Sequence, residues 1–296
     1  MLKTNKVLLL LVIATSFQAG RAQNKMPING FEVYSGLGIA YFSGDLGGAG
    51  FSPASLKPVV SGGLRYYFTN RVAVRVNVSY GKLAADDSLS SNLYSKQRNL
   101  NFKSDILDAA LQIEYSLLNW NVRGQSKKLV TTHINRRHNL YVFTGISVFH
   151  FKPYGKLNGQ WYSLQELSTA GQGLPNGAKP YSLYAISIPI GSGYKVLVNK
   201  TVSIGVEVTF RKTFTDYIDD VSAPYYDNTL LRQAKGNIAA DIADKNKFRD
   251  GAKRRAGEGR GNPNSNDNFA FLQITFNKRL NLYSGRRDLP CTIFSK

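Results

Sequence analysis

The segment 201–222, TVSIGVEVTFRKTFTDYIDDVS, constrains the fold more than any other part of this chain. Val202, Ile204, Val206, Val208 and Phe210 alternate with Ser203, Gly205, Glu207, Thr209 and Arg211, so an extended backbone carries one apolar face and one polar face. A strand buried on both sides would not hold Glu207 and Arg211. The segment reads as a two-sided strand, with core or lipid against one face and polar groups against the other.

The same period of two recurs along the chain and predicts strands at 31–42, 59–68, 72–81, 105–118, 140–151, 182–197, 201–212 and 268–276. Their connections run long, short, long, medium, long, short and very long. An even strand number with that alternation predicts an all-β fold over 23–296: an eight-stranded antiparallel transmembrane β-barrel with long external loops. Parity supports it, because Glu32, Arg65, Arg75, Asp108, Glu114, Lys195, Glu207 and Arg211 all fall opposite the apolar face. In so narrow a barrel these eight are expected to form an interior network that leaves no open pore. A soluble, lipocalin-like barrel would invert this arrangement and leave the charges in water. Aromatic strand ends favour the membrane form. In the longest connection, Leu230, Ala234, Ile238 and Ile242 recur every four residues and predict a short amphipathic helix. The cluster Lys253, Arg254, Arg255 and Arg260 reads as a mobile basic loop.

At the start of the chain Lys3 and Lys6 precede an apolar run at 7–13, and Gly20 and Ala22 stand where a signal peptidase expects small residues; 1–22 is expected to be a secretory signal peptide. No later apolar run approaches the roughly 20 residues of a spanning helix, so strands must cross any membrane. The expected location is the outer membrane of a Gram-negative cell. A formal charge of +19 favours anionic neighbours, outer-membrane lipid among them, while export excludes nucleic acid. The single cysteine, Cys291, forms no internal disulfide.

Little in the sequence points to catalysis. Asp216, Asp219, Asp220 and Asp227, with Tyr217, Tyr225 and Tyr226, offer oxygens to a hard cation, but the spacing is not that of an EF-hand loop and acidic loops are ordinarily solvated. No metal is assigned. His150 lacks an identifiable nucleophile or orienting acid, and HExxH, GxSxG and Walker patterns are missing from the sequence. The reading is non-enzymatic, with no catalytic or cofactor-binding residues. Arg123, Lys127, Lys128, Arg136 and Arg137 share the connection 119–139 with no acidic residue, an expected periplasmic contact for an acidic partner. A barrel acting alone in surface adhesion or lipid binding is the alternative.

SGDL at 43–46, RNLNF at 98–102, NGQW at 158–161, GQG at 171–173, RKTFTDYIDDVS at 211–222 and RGN at 260–262 resemble the PorG-type outer-membrane proteins of Bacteroidetes. The resemblance spans nearly the whole chain after the leader. Its most specific part is the loop motif holding Arg211, Lys212, Thr213, Phe214, Asp216, Tyr217, Asp219 and Asp220. What it implies is a component of the type IX secretion apparatus, associated with periplasmic ring and core proteins of the PorK, PorN and PorM type, with no enzymatic role and no cofactor.

Overall fold

A computed structural model describes residues 30–47, 52–69, 71–118, 138–199, 201–246 and 253–280. The expected signal peptide at 1–22 and the basic residues Arg123, Lys127, Lys128, Arg136 and Arg137 lie outside the described residues. Eight strands, β1 (Gly30–Ser43), β2 (Lys57–Tyr67), β3 (Val72–Asp86), β4 (Asn101–Leu118), β5 (His138–Leu157), β7 (Tyr184–Leu197), β8 (Val202–Thr213) and β9 (Asn268–Leu280), each pair antiparallel with two neighbours. The pairing of β1 with β9 and of β4 with β5 closes the sheet into a barrel. Closure leaves no edge, the condition hydrocarbon imposes on a sheet. The chain is an eight-stranded transmembrane β-barrel.

Local chemistry fixes the two short turns at the end of the barrel opposite the long connections. Thr69 Oγ1 accepts hydrogen bonds from the amides of Arg71 and Val72, and Asn199 Oδ1 accepts from those of Thr201 and Val202. Each side chain thus satisfies the amides that a tight reversal strips of strand partners.

The outer wall is apolar. On β4 the outward residues Leu107, Ala109, Leu111, Ile113, Tyr115 and Leu117 follow one another without a polar interruption. At about 3.4 Å per residue and a tilt near 40°, that run stands roughly 25 Å tall, the height of a bilayer-facing band. Tyr66, Phe68, Tyr115 and Tyr194 ring the short-turn rim, and Tyr80, Tyr184 and Phe210 ring the other.

Beyond the upper aromatic ring the parity inverts. Lys82, Lys103, Asp105, Lys152 and Lys156 now face outward, while Leu83, Ala85, Phe102, Phe149 and Phe151 face in. The sheet has left lipid for water, and so β3, β4 and β5 run well past the predicted 81, 105 and 151. A ninth strand, β6 (Gln160–Ser163), extends only this protruding part by pairing with β5. Asn158 and Gly159, both at positive φ (49° and 86°), make its two-residue turn, so the NGQW segment is a hairpin.

At the long-loop end Phe42, Phe102, Phe149, Phe151, Phe269 and Phe271 from the strands pack with Leu46, Leu100, Leu164, Ile218, Val221 and Ile242 from the connections. Short helices α1 (Leu93–Arg98), α2 (Leu164–Leu167), α3 (Asn228–Lys235) and α4 (Asn237–Ala243) lie within those connections. The single helix predicted through 230–242 is instead two, broken where Gly236 adopts φ +88°. Its predicted stripe fails with it. Leu230, Ala234 and Ile238 are exposed, and Leu231, Ala239, Ala240, Ile242 and Ala243 are the buried set. No described helix is long and apolar enough to cross a membrane.

Candidate functional site

Two polar assemblies occupy the molecule, one inside the barrel and one above it. The lower one is built by inward positions of seven strands. Arg65 donates from Nε to Glu114 at 2.8 Å and from Nη1 to Glu32, and Lys195 donates to Glu32 at 2.9 Å and to the Tyr67 hydroxyl at 2.6 Å. Arg75 meets Glu207 in a two-pronged pair at 2.6 and 3.0 Å, while its Nε donates to Gln112 and Tyr141 donates to Glu207. Higher in the lumen Arg211 pairs with Asp108 at 2.6 Å.

Four cations thus face four carboxylates, all but excluded from solvent. Arg65 and Arg75 sit directly opposite each other in the β2–β3 register, an arrangement of like charges that the ring of Tyr34 relieves by lying 5.1 and 5.3 Å from the two guanidiniums. Two glycines make room for the bulky groups. A Cβ at Gly193 would stand 2.2 Å from the Tyr141 ring and one at Gly191 2.3 Å from that of Phe143. Side chains fill the lumen.

The upper assembly is a cap joining all four long connections. Arg98, at the end of α1, grips Asp87 at 2.7 and 2.9 Å, then donates to the carbonyls of Asp45 and Arg260. Asp87 also accepts from the amides of Gly47 and Leu100. Asp219 accepts from the amides of Leu46 and Val221, and Asp45 from that of Asn262. Asp220, at φ +65°, receives Thr169, the Tyr181 hydroxyl at 2.7 Å and Arg260 at 3.3 Å; Arg260 further donates to the Asp220 carbonyl. Asp267 accepts from the amide of Ile218, and Thr213 donates to the Asp267 carbonyl.

The pieces SGDL, RNLNF, RKTFTDYIDDVS and RGN therefore converge, although up to 217 residues separate bonded partners. The acidic loop is not solvated as such loops ordinarily are: Asp219 and Asp220 are fully buried and Asp216 nearly so. Asp219 serves as the acceptor for amides that the loops cannot pair in a sheet, and Asp220 for two hydroxyls and a guanidinium. The basic cluster also differs from its mobile reading. Arg260 is buried in the cap, Lys253 donates to the Asp244 carbonyl and Arg254 pairs with Glu258. Asp227 caps α3 through the amide of Leu230, away from the other three aspartates.

Elsewhere in the motif, Tyr217 stacks on Tyr181 with ring centres 4.4 Å apart, and Lys212 and Phe214 are exposed. His150 faces outward beside Tyr184 at the upper aromatic ring. Asp87, Arg98, Thr169, Tyr181 and Asp267 were not singled out as site residues in the sequence. Arg98 had a signal, since it opens RNLNF; the others lie in polar segments whose folding only the cap reveals.

Burial dominates the electrostatics of the cap. It raises Asp216 to about 7, against the opposing hydrogen bond of Ser222 and helped by the charge of Asp45. It holds Asp219 and Asp267 well above the usual carboxylate range, with neighbouring aspartates adding to the effect. Asp220 is raised less simply, since Arg260, Thr169 and Tyr181 oppose its burial. Among the described residues no three His, Cys, Asp or Glu side chains are arranged to hold a metal ion.

Comparison with known proteins places this geometry beside other barrels. Solved structures similar to the chain include Ail, the attachment invasion locus protein of Yersinia pestis (8% identity, 86% of this chain and 100% of that one, TM-score 0.39). The outer membrane protein OprG from Pseudomonas aeruginosa (9%, 85% and 96%, TM-score 0.38) and Neisserial surface protein A (10%, 84% and 97%, TM-score 0.37) are also similar. No curated protein matches the sequence. The family model described as a domain of unknown function, DUF6089, matches residues 5–243, a span that takes in β1 to β8 and most of the cap, and the chain belongs to the DUF6089 family.

Proposed function

We propose that the chain is a non-enzymatic outer-membrane barrel of the type IX protein secretion machinery, docking periplasmic ring and core proteins of the PorK, PorN and PorM type. One observation carries the reading. Four of the six motif segments that resemble PorG-type proteins, SGDL, RNLNF, RKTFTDYIDDVS and RGN, interlock over the barrel, so the shared sequence maintains a sealed, rigid body. A barrel filled with paired charges and capped at one end suits anchoring better than conduction. In this reading the short-turn end faces the periplasm and the basic connection through Arg123, Lys127, Lys128, Arg136 and Arg137 meets the acidic partner. The test is co-purification of the tagged protein with ring components, together with the secretion phenotype of a deletion. Unchanged secretion on deletion would falsify the proposal.

A second reading has its own observation. Leu89, Leu93, Tyr94, Leu230 and Ile238 are exposed on the cap connections, as a surface adhesin acting alone would need. Replacing these five with serine abolishes cell attachment under that reading and leaves secretion intact.

A further inference from the structure

On the wall formed by β4, β5 and β6, just above the upper aromatic ring, the outward residues form ordered rows. Nearest the ring stand Lys82, Asp105 and Lys152, in register across β3, β4 and β5. These charges are spoken for: Lys82 pairs with Asp105 at 2.7 Å and Lys152 with Glu166 at 2.9 Å. The rows above hold Lys103 beside Tyr154, and Lys156 beside Trp161. Lys103 Nζ lies 4.2 Å and Lys156 Nζ 6.0 Å from the centre of the Trp161 ring. Neither ammonium makes an ion pair with a described carboxylate. The remaining acid on this face, Asp86, lies beyond Asn101 and accepts from the amide of Ser88.

An indole face holds an ammonium without neutralising its charge or using up its N–H donors. Trp161, itself 40% exposed, is also the side chain suited to the boundary between hydrocarbon and water. The patch stands one to three residue rows above the apolar wall, the depth of lipid headgroups. We infer that Lys103 and Lys156, beside Trp161, form a docking site for the phosphate groups of a phosphorylated lipid in the leaflet on the long-loop side. The neighbouring surface is bilayer, the uncompensated charge is positive, and phosphate is the anionic group a headgroup region supplies.

The experiment uses the full chain folded in a zwitterionic detergent and titrated with bisphosphorylated lipid A, phosphatidylcholine and inorganic phosphate. Native mass spectrometry counts bound lipid. Emission from Trp161, in a Trp120→Phe background that leaves one indole, reports the site. Lipid A is expected to bind and phosphatidylcholine not to. At about 1 kcal/mol per lysine, the pair Lys103→Gln and Lys156→Gln should weaken lipid A by about 30-fold. Lys212→Gln, outward on β8, should change it by under about twofold, since screening confines the effect to near charges. The shift between boiled and unboiled mobility on a gel verifies that each variant is folded. Equal binding of lipid A by the double variant overturns the inference, as does binding of inorganic phosphate as strong as that of the lipid.

Discussion

The barrel interior and the cap bury comparable amounts of charge by opposite means. Inside the barrel every carboxylate has a cation within reach, and the eight formal charges cancel. In the cap, aspartates outnumber the buried arginines, and backbone amides and hydroxyls do most of the holding. The difference follows from the backbone. Barrel strands satisfy their own amides and leave side chains to neutralise one another, whereas irregular loops bring orphan amides that only an acceptor side chain can quiet. A rigid ionic lattice and an amide-bound acidic lid should therefore respond differently to mutation and to pH.

The largest effect should come from the lattice. Arg65→Met leaves Glu32 with only Lys195 and strips Glu114 of its cation, and breaking a buried pair costs about 3–5 kcal/mol. Urea unfolding in lipid vesicles should register it, and the companion change Glu114→Gln should recover part of the loss. In the cap, Arg260→Met removes charge-assisted bonds to Asp220, each worth about 1.5–3 kcal/mol. Protease sensitivity should then rise across 214–267 while the barrel keeps its folded gel mobility. If the whole barrel unfolds instead, the two regions are one cooperative unit and the contrast fails. Gly193→Ala tests packing in the lumen, where displacing Tyr141 should cost about 1–3 kcal/mol of the same unfolding free energy.

Acidity separates the regions most cleanly. Asp216 sits at about 7 in the folded cap and near the ordinary aspartate value when unfolded, so the folded cap binds the extra proton. Its contribution is therefore fully present at low pH and is lost as pH rises from about 4 to about 7. Protection factors, taken against the intrinsic exchange rate at each pH, should be larger in the cap at pH 5 than at pH 8, and Asp216→Asn should weaken that dependence while protecting the cap at pH 8. The smallest effect belongs to the exposed pair outside both regions. Lys82→Gln should change stability by under about 1 kcal/mol.

The barrel was legible because lipid enforces one parity for the length of a strand. Val74, Val76 and Val78 all face outward on β3, and their neighbours Arg75 and Asn77 face in. Past Tyr80 the rule reverses: Leu83 and Ala85 are the buried residues, so the apolar phase slips by one and the pattern that marks the strand stops before the strand does. The cap was illegible for a related reason. Nothing in DYIDD distinguishes an aspartate bathed in water from one receiving the amide of Leu46 or the side chains of Thr169, Tyr181 and Arg260, because those partners are fixed by tertiary closure and have no periodicity. The helix stripe misled because Gly236, which the sequence already marks as a weak point, takes a positive φ and ends one helix where the next begins.

The cap has a consequence for the order in which the molecule is made. Asn262 and Asp267 stand immediately before β9, and β9 supplies the seam with β1. Tethering Asp45 to Asn262 while that seam is open would require closing a loop of more than two hundred residues for one bond. Sealing the cylinder brings Ser43 alongside Asn268 and delivers both partners at once. The lid is thus a record of completed biogenesis: a chain whose final strand has not yet paired with the first holds Arg260 and the amide of Asn262 away from the earlier loops they fasten, and is left unlatched.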